Sequence, residues 1–144
     1  MANEDKNVLH SYYVRANTQL SGETLVFHPY TDMSKRSDTD FIVVYSPVKL
    51  ARPSRLGSRI EEWFFEMNAF AKLTTQNMYK VHELGDSIGT AFDQVTFSLQ
   101  DFETVGDPVI GYIRCSEVEK RDVLNPANPE LHQLNCSFTG FLAI

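Results

Sequence analysis

The chain has little cysteine, no long apolar run, no basic leader and no local catalytic motif, and each shortage removes a class of protein. Two cysteines, Cys115 and Cys136, in 144 residues are too few for a disulfide framework. Both sit in apolar, strand-like runs and read as buried free thiols. The longest apolar stretch, Phe41-Ile-Val-Val-Tyr45, falls far short of the ~20 residues that cross a bilayer as a helix, so no membrane span is expected. The opening Met1-Ala-Asn-Glu-Asp-Lys-Asn7 is polar and acidic where a secretory signal carries basic residues followed by an apolar segment. Residues 1–7 are therefore expected as a flexible arm ahead of one globular domain at 8–144, in a cytoplasmic setting and not secreted by a signal peptide. Asn135-Cys-Ser137 matches a glycosylation acceptor, a pattern that carries no weight away from a secretory route.

Motifs that carry chemistry are equally scarce. His82-Glu-Leu-Gly-Asp86 shares only its first two residues with a zinc-protease helix, because the second histidine four positions on is missing. His10, His28 and His132 lie far apart in sequence and form no ligand pair at helical or hairpin spacing. There is no glycine-rich phosphate loop and no serine on a strained turn. A triad dispersed along the chain would leave no such trace. The expectation is no catalytic residue, no cofactor and no metal, and a protein that binds or assembles.

What is present is an ordinary globular composition, 42% hydrophobic and 22% charged. A chain of this length buries roughly 68–70% of its unfolded surface and needs no metal or disulfide to fold. The formal charge of −6 repels nucleic acid at long range, and no specific nucleic-acid binding is expected. Against it stand Lys49, Arg52, Arg55 and Arg59, within eleven residues that contain no acid. No aromatics are interleaved for stacking on bases. These four cations are read as a subunit or partner contact, with a solvated loop as the plain alternative. Acids of the kind they would meet are Glu61, Glu62, Glu66, Asp101, Glu103 and Asp107.

Along the chain, Val8, His10, Tyr12 and Val14 alternate with Leu9, Ser11, Tyr13 and Arg15, which predicts a strand. Ser21-Gly22 marks a turn, Leu25 to His28 a short strand, and Thr31 to Asp40 a surface loop. Phe41 to Tyr45 reads as a strand buried on both faces, with a bulge or edge at Pro47. Ser58-Arg-Ile-Glu61 has the spacing of a capping box, and Ile60, Trp63, Phe64, Met67, Phe70 and Ala71 recur at helical steps. The helix is placed at about 59–73, with its stripe, Phe64 included, packed as core. Residues 74–92 receive no assignment. Val95, Phe97 and Leu99 alternate with Thr96, Ser98 and Gln100; a further strand covers Val109 to Val118; and Asn125-Pro-Ala-Asn-Pro129 is a turn. In the last strand Leu134, Cys136, Phe138, Gly140, Leu142 and Ile144 share one face, opposite Asn135, Ser137 and Thr139. The order β-β-β-α-β-β-β predicts an α+β, mainly β fold, an antiparallel barrel or sandwich with one packed helix.

From Val48 on, that order resembles the phage tail-tube proteins and their relatives, the haemolysin-coregulated ring proteins of type VI secretion. The matching features are the strand Val43 to Leu50, the approach Arg52-Pro-Ser54, the helix with Glu62-Trp63-Phe64, the strand Val95 to Gln100 running through Asp101 and Gly106-Asp-Pro-Val109, and the approach Asn125 to Leu131. The resemblance covers roughly two thirds of the chain and weakens in the N-terminal third. It implies a non-enzymatic structural protein, a homo-oligomer of hexameric rings stacked into a tube, located in a virion or host cytoplasm. The acidic balance suits such a lumen, since negative walls let a polyanion slide past. It equally suits the alternative function, a small intracellular inhibitor or immunity-type protein that blocks a protein partner.

Overall fold

Apolar residues alternating with polar ones build one sheet, and two short amphipathic segments cover it. In the computed structural model, which describes residues 4–27, 40–50, 61–72, 79–124 and 131–143, the elements are α1 (Glu4–Gln19), β1 (Leu25–Phe27), β2 (Asp40–Val44), β3 (Val48–Leu50), β4 (Glu61–Lys72), α2 (Lys80–Phe92), β5 (Val95–Gln100), β6 (Val109–Leu124) and β7 (Leu131–Ala143). The strands form a single curled sheet in the order β1-β2-β4-β7-β6-β5, with β3 paired to β4 beside that path. β1 runs parallel to β2 and every other pairing is antiparallel. The fold is α+β and mainly β, as expected, but an open half-barrel with two helices.

Both helices lie on one face. Val8, Tyr12, Ala16 and Leu20 of the first helical region, and Val81, Leu84, Ile88, Ala91 and Phe92 of α2, share one buried cluster with Trp63, Phe65, Met67, Ile113, Cys115, Cys136, Phe138 and Leu142 of the sheet. The rings of Tyr12, Phe65, Phe92 and Phe138 fill the space between the layers, Tyr12 standing 4.7 Å from Phe65 and 5.4 Å from Phe92. Val26, Phe41 and Val43 form a smaller cluster apart from it. Phe41, Ile42, Val43 and Val44 are all buried, so the two-faced burial read from that run holds. The expected faces of β5 and β7 hold as well, Ile144 lying outside the described residues.

Three expectations are corrected. Over Glu61–Lys72 the helix expected at 59–73 is instead the strand β4, paired along its whole length with β7, while 59, 60 and 73 lie outside the described residues. Its apolar residues suit either period: Trp63, Phe65, Met67, Ala69 and Ala71 face the core, while Phe64 and Phe70 on the opposite face fill in a false helical stripe. Phe64 is thus half-buried on the outer face and is not core. Glu61, expected in a capping box, accepts a hydrogen bond from Trp63 Nε1 at 3.4 Å within the strand.

The strand expected from Val8 to Arg15 is helix α1, and the arm expected at 1–7 is part of that helix from Glu4 on. Val8, Tyr12 and Ala16 form its buried stripe, and Asn7 and Ser11 are buried beside them. Those two polar residues work at the sheet edge. Gln100 N–H donates to Ser11 Oγ (3.1 Å) and Phe102 N–H donates to Asn7 Oδ1 (3.2 Å), so α1 satisfies the end of β5. The segment 74–92, left without assignment, holds α2 from Lys80. The Thr31–Asp40 loop before Asp40, Ser58 and the turn at 125–129 lie outside the described residues. Among the described residues no helix is long and apolar enough to cross a membrane.

Candidate functional site

Two surfaces at opposite ends of the long strands carry more than structural content. The first is on the outer face, where β4 begins, β7 ends and β6 begins. Register places Glu62, Phe141 and Arg114 in one row across the three strands, with Phe64, Thr139 and Ser116 in the next and Val48 beside Phe64. Tyr112 (56% exposed), Val48 (54%) and Phe141 (47%) leave apolar surface open there. Arg114 is steadied by donating to Gln94 O at 2.9 Å. Farther along the same face the surface turns polar and closed. Asn135 Nδ2 donates to Glu66 Oε1 and to Asn68 Oδ1, both at 2.7 Å, and Asn68 Nδ2 donates to Tyr45 OH at 2.9 Å. Asn135, the acceptor asparagine of the glycosylation pattern, is held in this network.

The second surface lies at the other end, between the start of α2 and the end of the β6–β7 hairpin, where His82, Asp122 and His132 converge. His132 Nε2 is 2.6 Å from Asp122 Oδ1, and His82 Nε2 is 3.8 Å from Asp122 Oδ2. The two imidazoles meet edge to face with centroids 5.5 Å apart. One ligand atom from each residue lies within 4.8 Å of the others. No local spacing links His82 with His132: residues remote in sequence are brought together by a hairpin and by the docking of a helix on it.

Two local features produce the convergence. The β6–β7 register shifts between Glu117 and Glu119, so Val118 is an extra, bulged residue. Ahead of the bulge the odd-numbered Ile113 and Cys115 face the helices; after it Lys120 pairs with Cys136 and Asp122 with Leu134, so the even-numbered residues face them. Asp93, just past α2, accepts the Glu117 N–H at 2.9 Å and fixes the bulge. The second feature is Gly85, one turn after His82. A Cβ there would stand 2.4 Å from Leu134 Cδ2 and would force that side chain to move, so glycine suits the close approach of α2 to β7. Lys120 adds ion pairs to Asp86 of α2 (3.7 Å) and to Glu117 (3.6 Å).

Of the four cations read as a contact, Lys49 is on β3, with its Nζ 3.1 Å from Glu61 and 3.9 Å from Asp5 of its own chain. Arg52, Arg55 and Arg59 lie outside the described residues. Cys115 and Cys136 are buried free thiols, and burial pushes each up to about 12, which makes them poor nucleophiles and poor ligands.

No protein family profile matches the chain, and no curated protein does. One solved structure, of a protein with no function assigned, is similar to it with a TM-score of 0.62 and 11% sequence identity, over 96% of this chain and 95% of its own. At that identity the likeness shows the fold alone.

Proposed function

We propose that this chain is a non-enzymatic structural subunit that assembles with copies of itself through the outer face of its curled sheet. The observation that carries the reading is the apolar surface left open on one face by Val48 of β3, Phe141 of β7 and Tyr112 of β6, each about half exposed, with Phe64 of β4 beside Val48. A two-fold contact must be self-complementary, and a row with Arg114 on one side of Phe141 and Glu62 on the other can meet its own rotated copy with opposite charges aligned.

The tube-like assembly implied by the sequence resemblance leaned on a helix at Glu62-Trp63-Phe64 that is a strand, so the proposal rests on the outer face alone. Light scattering with mass determination across a concentration range tests it. The expected result is a mass above the monomer that falls to the monomer in Phe141→Glu, with circular dichroism unchanged. A strictly monomeric wild type into the millimolar range refutes self-assembly and favours the blocking of a different protein partner.

A further inference from the structure

We propose that His82, Asp122 and His132 form a binding site for one divalent transition-metal ion, zinc foremost, tying the start of α2 to the end of the β6–β7 hairpin. Two imidazoles and one carboxylate are a donor set suited to zinc and its neighbours in the first transition row, and a poor one for magnesium or calcium, which take oxygen ligands. Donor atoms around one tetrahedral zinc stand ~3.3 Å apart, as bond lengths of about 2.0–2.1 Å require. The separations here, 2.6 Å for His132 to Asp122 and 3.8 Å for His82 to Asp122, straddle that value. An ion seated among them exchanges the His132–Asp122 hydrogen bond for two coordination bonds. Bringing the three donors, which lie within 4.8 Å of one another, to that spacing takes side-chain movements on the order of 1 Å.

The backbone is arranged for this convergence. Without the extra residue at Val118, Asp122 would point to the outer face, because a one-residue change of register reverses every side chain that follows. With it, Asp122 and His132 are diagonal neighbours on the face that α2 covers, and Gly85 brings His82 down onto them. The site is open: His82 and Asp122 are about half exposed, at 49% and 52%, so an ion can enter, and three protein ligands leave a coordination position for water or another small ligand. His132, at 14% exposed, is the anchored member.

Isothermal titration of the chelator-stripped full chain with zinc chloride tests the site. The expected result is one equivalent bound, no heat with magnesium, and visible absorbance of a four-coordinate ion when cobalt(II) replaces zinc. His82→Ala, Asp122→Asn and His132→Ala should each weaken binding by about tenfold or more, as expected for the loss of one of three ligands. His82→Ala removes an exposed side chain, so its fold stays intact and its affinity reads the ligand directly. No uptake at millimolar zinc overturns the proposal, as does an affinity within about twofold of wild type in His82→Ala, a change too small for a lost ligand.

Discussion

Replacing Gly140 by alanine tests the packing between the layers at its tightest point. Gly140 faces the helices from β7, and a Cβ there would lie 2.5 Å from Phe65 Cε2 and 3.1 Å from Ile113 Cγ2. Neither neighbour has room to yield. Phe65 is fully buried with the Tyr12 ring centroid 4.7 Å from its own, and Ile113 is buried as well. Forcing a methyl group into such a core costs about 1–3 kcal/mol. Alanine recovers roughly 0.5–1 kcal/mol of backbone entropy that glycine loses in a strand. The net expectation is destabilisation by about 1–2 kcal/mol, read as a lower urea midpoint at unchanged slope and a Tm drop of about 3–7 °C. Shortening the ring with Phe65→Leu should relieve the clash. The double variant should then lie about 0.5–3 kcal/mol above the sum of the singles. A Gly140→Ala protein as stable as wild type, or additivity in the double variant, would refute this account of the core.

Phe65→Ala should cost about 3–5 kcal/mol, because it removes a fully buried ring, whereas Phe64→Ala on the outer face should cost about 1 kcal/mol. Equal losses in urea unfolding would contradict the strand assignment of residues 61–72. Asp101 is held below the usual carboxylate range by hydrogen bonds from the Thr104 hydroxyl, the Glu103 N–H and the Asn7 amide. A depressed carboxyl stabilises the fold above its unfolded value, near 3.9, and that contribution fades as pH falls toward the folded value. Asp101→Asn should therefore lower stability at neutral pH and flatten its acid dependence below about pH 4, followed by thermal melts across pH.

How much of this was legible in the sequence follows from how each element is buried. β5 and β7 bury one face, so Val95, Phe97 and Leu99, and Leu134, Cys136 and Phe138, alternate cleanly with polar residues. β4 is central, and Phe64 and Phe70 put apolar residues on its otherwise polar outer face, so a run such as Trp63-Phe-Phe65 fits a helix as well as a strand. α1 hides its period for the opposite reason: Asn7 and Ser11 stand where apolar residues would mark the stripe, and their partners, the backbone of Phe102 and Gln100, are remote in sequence. The strand read from Val109 ended at Val118, and that is where the bulge breaks the alternation. Glu119 to Leu124 continue the strand with the opposite phase, which no local pattern announces. The His82–Asp122–His132 cluster depends on that phase change and on helix docking, so it could not be read from spacing.

The two proposals can fail independently because the sheet keeps their sites apart. Glu62, beside the outer-face patch, pairs with Phe141 near the end of β7, whereas Ala71, nine residues farther along β4, pairs with His132 near its start. At about 3.3 Å per residue the two sites stand roughly 30 Å apart along the strands. They also face opposite sides of the sheet: Phe141 points to solvent on the outer face and Asp122 toward α2. Distant sites without shared partners have nearly additive effects. Phe141→Glu should therefore leave zinc affinity intact, and His82→Ala should leave the oligomer intact. Coupling between them would require the ion at the α2 end to change the curl of the sheet as a whole. Zinc-dependent change in the scattering mass of the wild type, absent in His82→Ala, would reveal such coupling and make assembly respond to the metal.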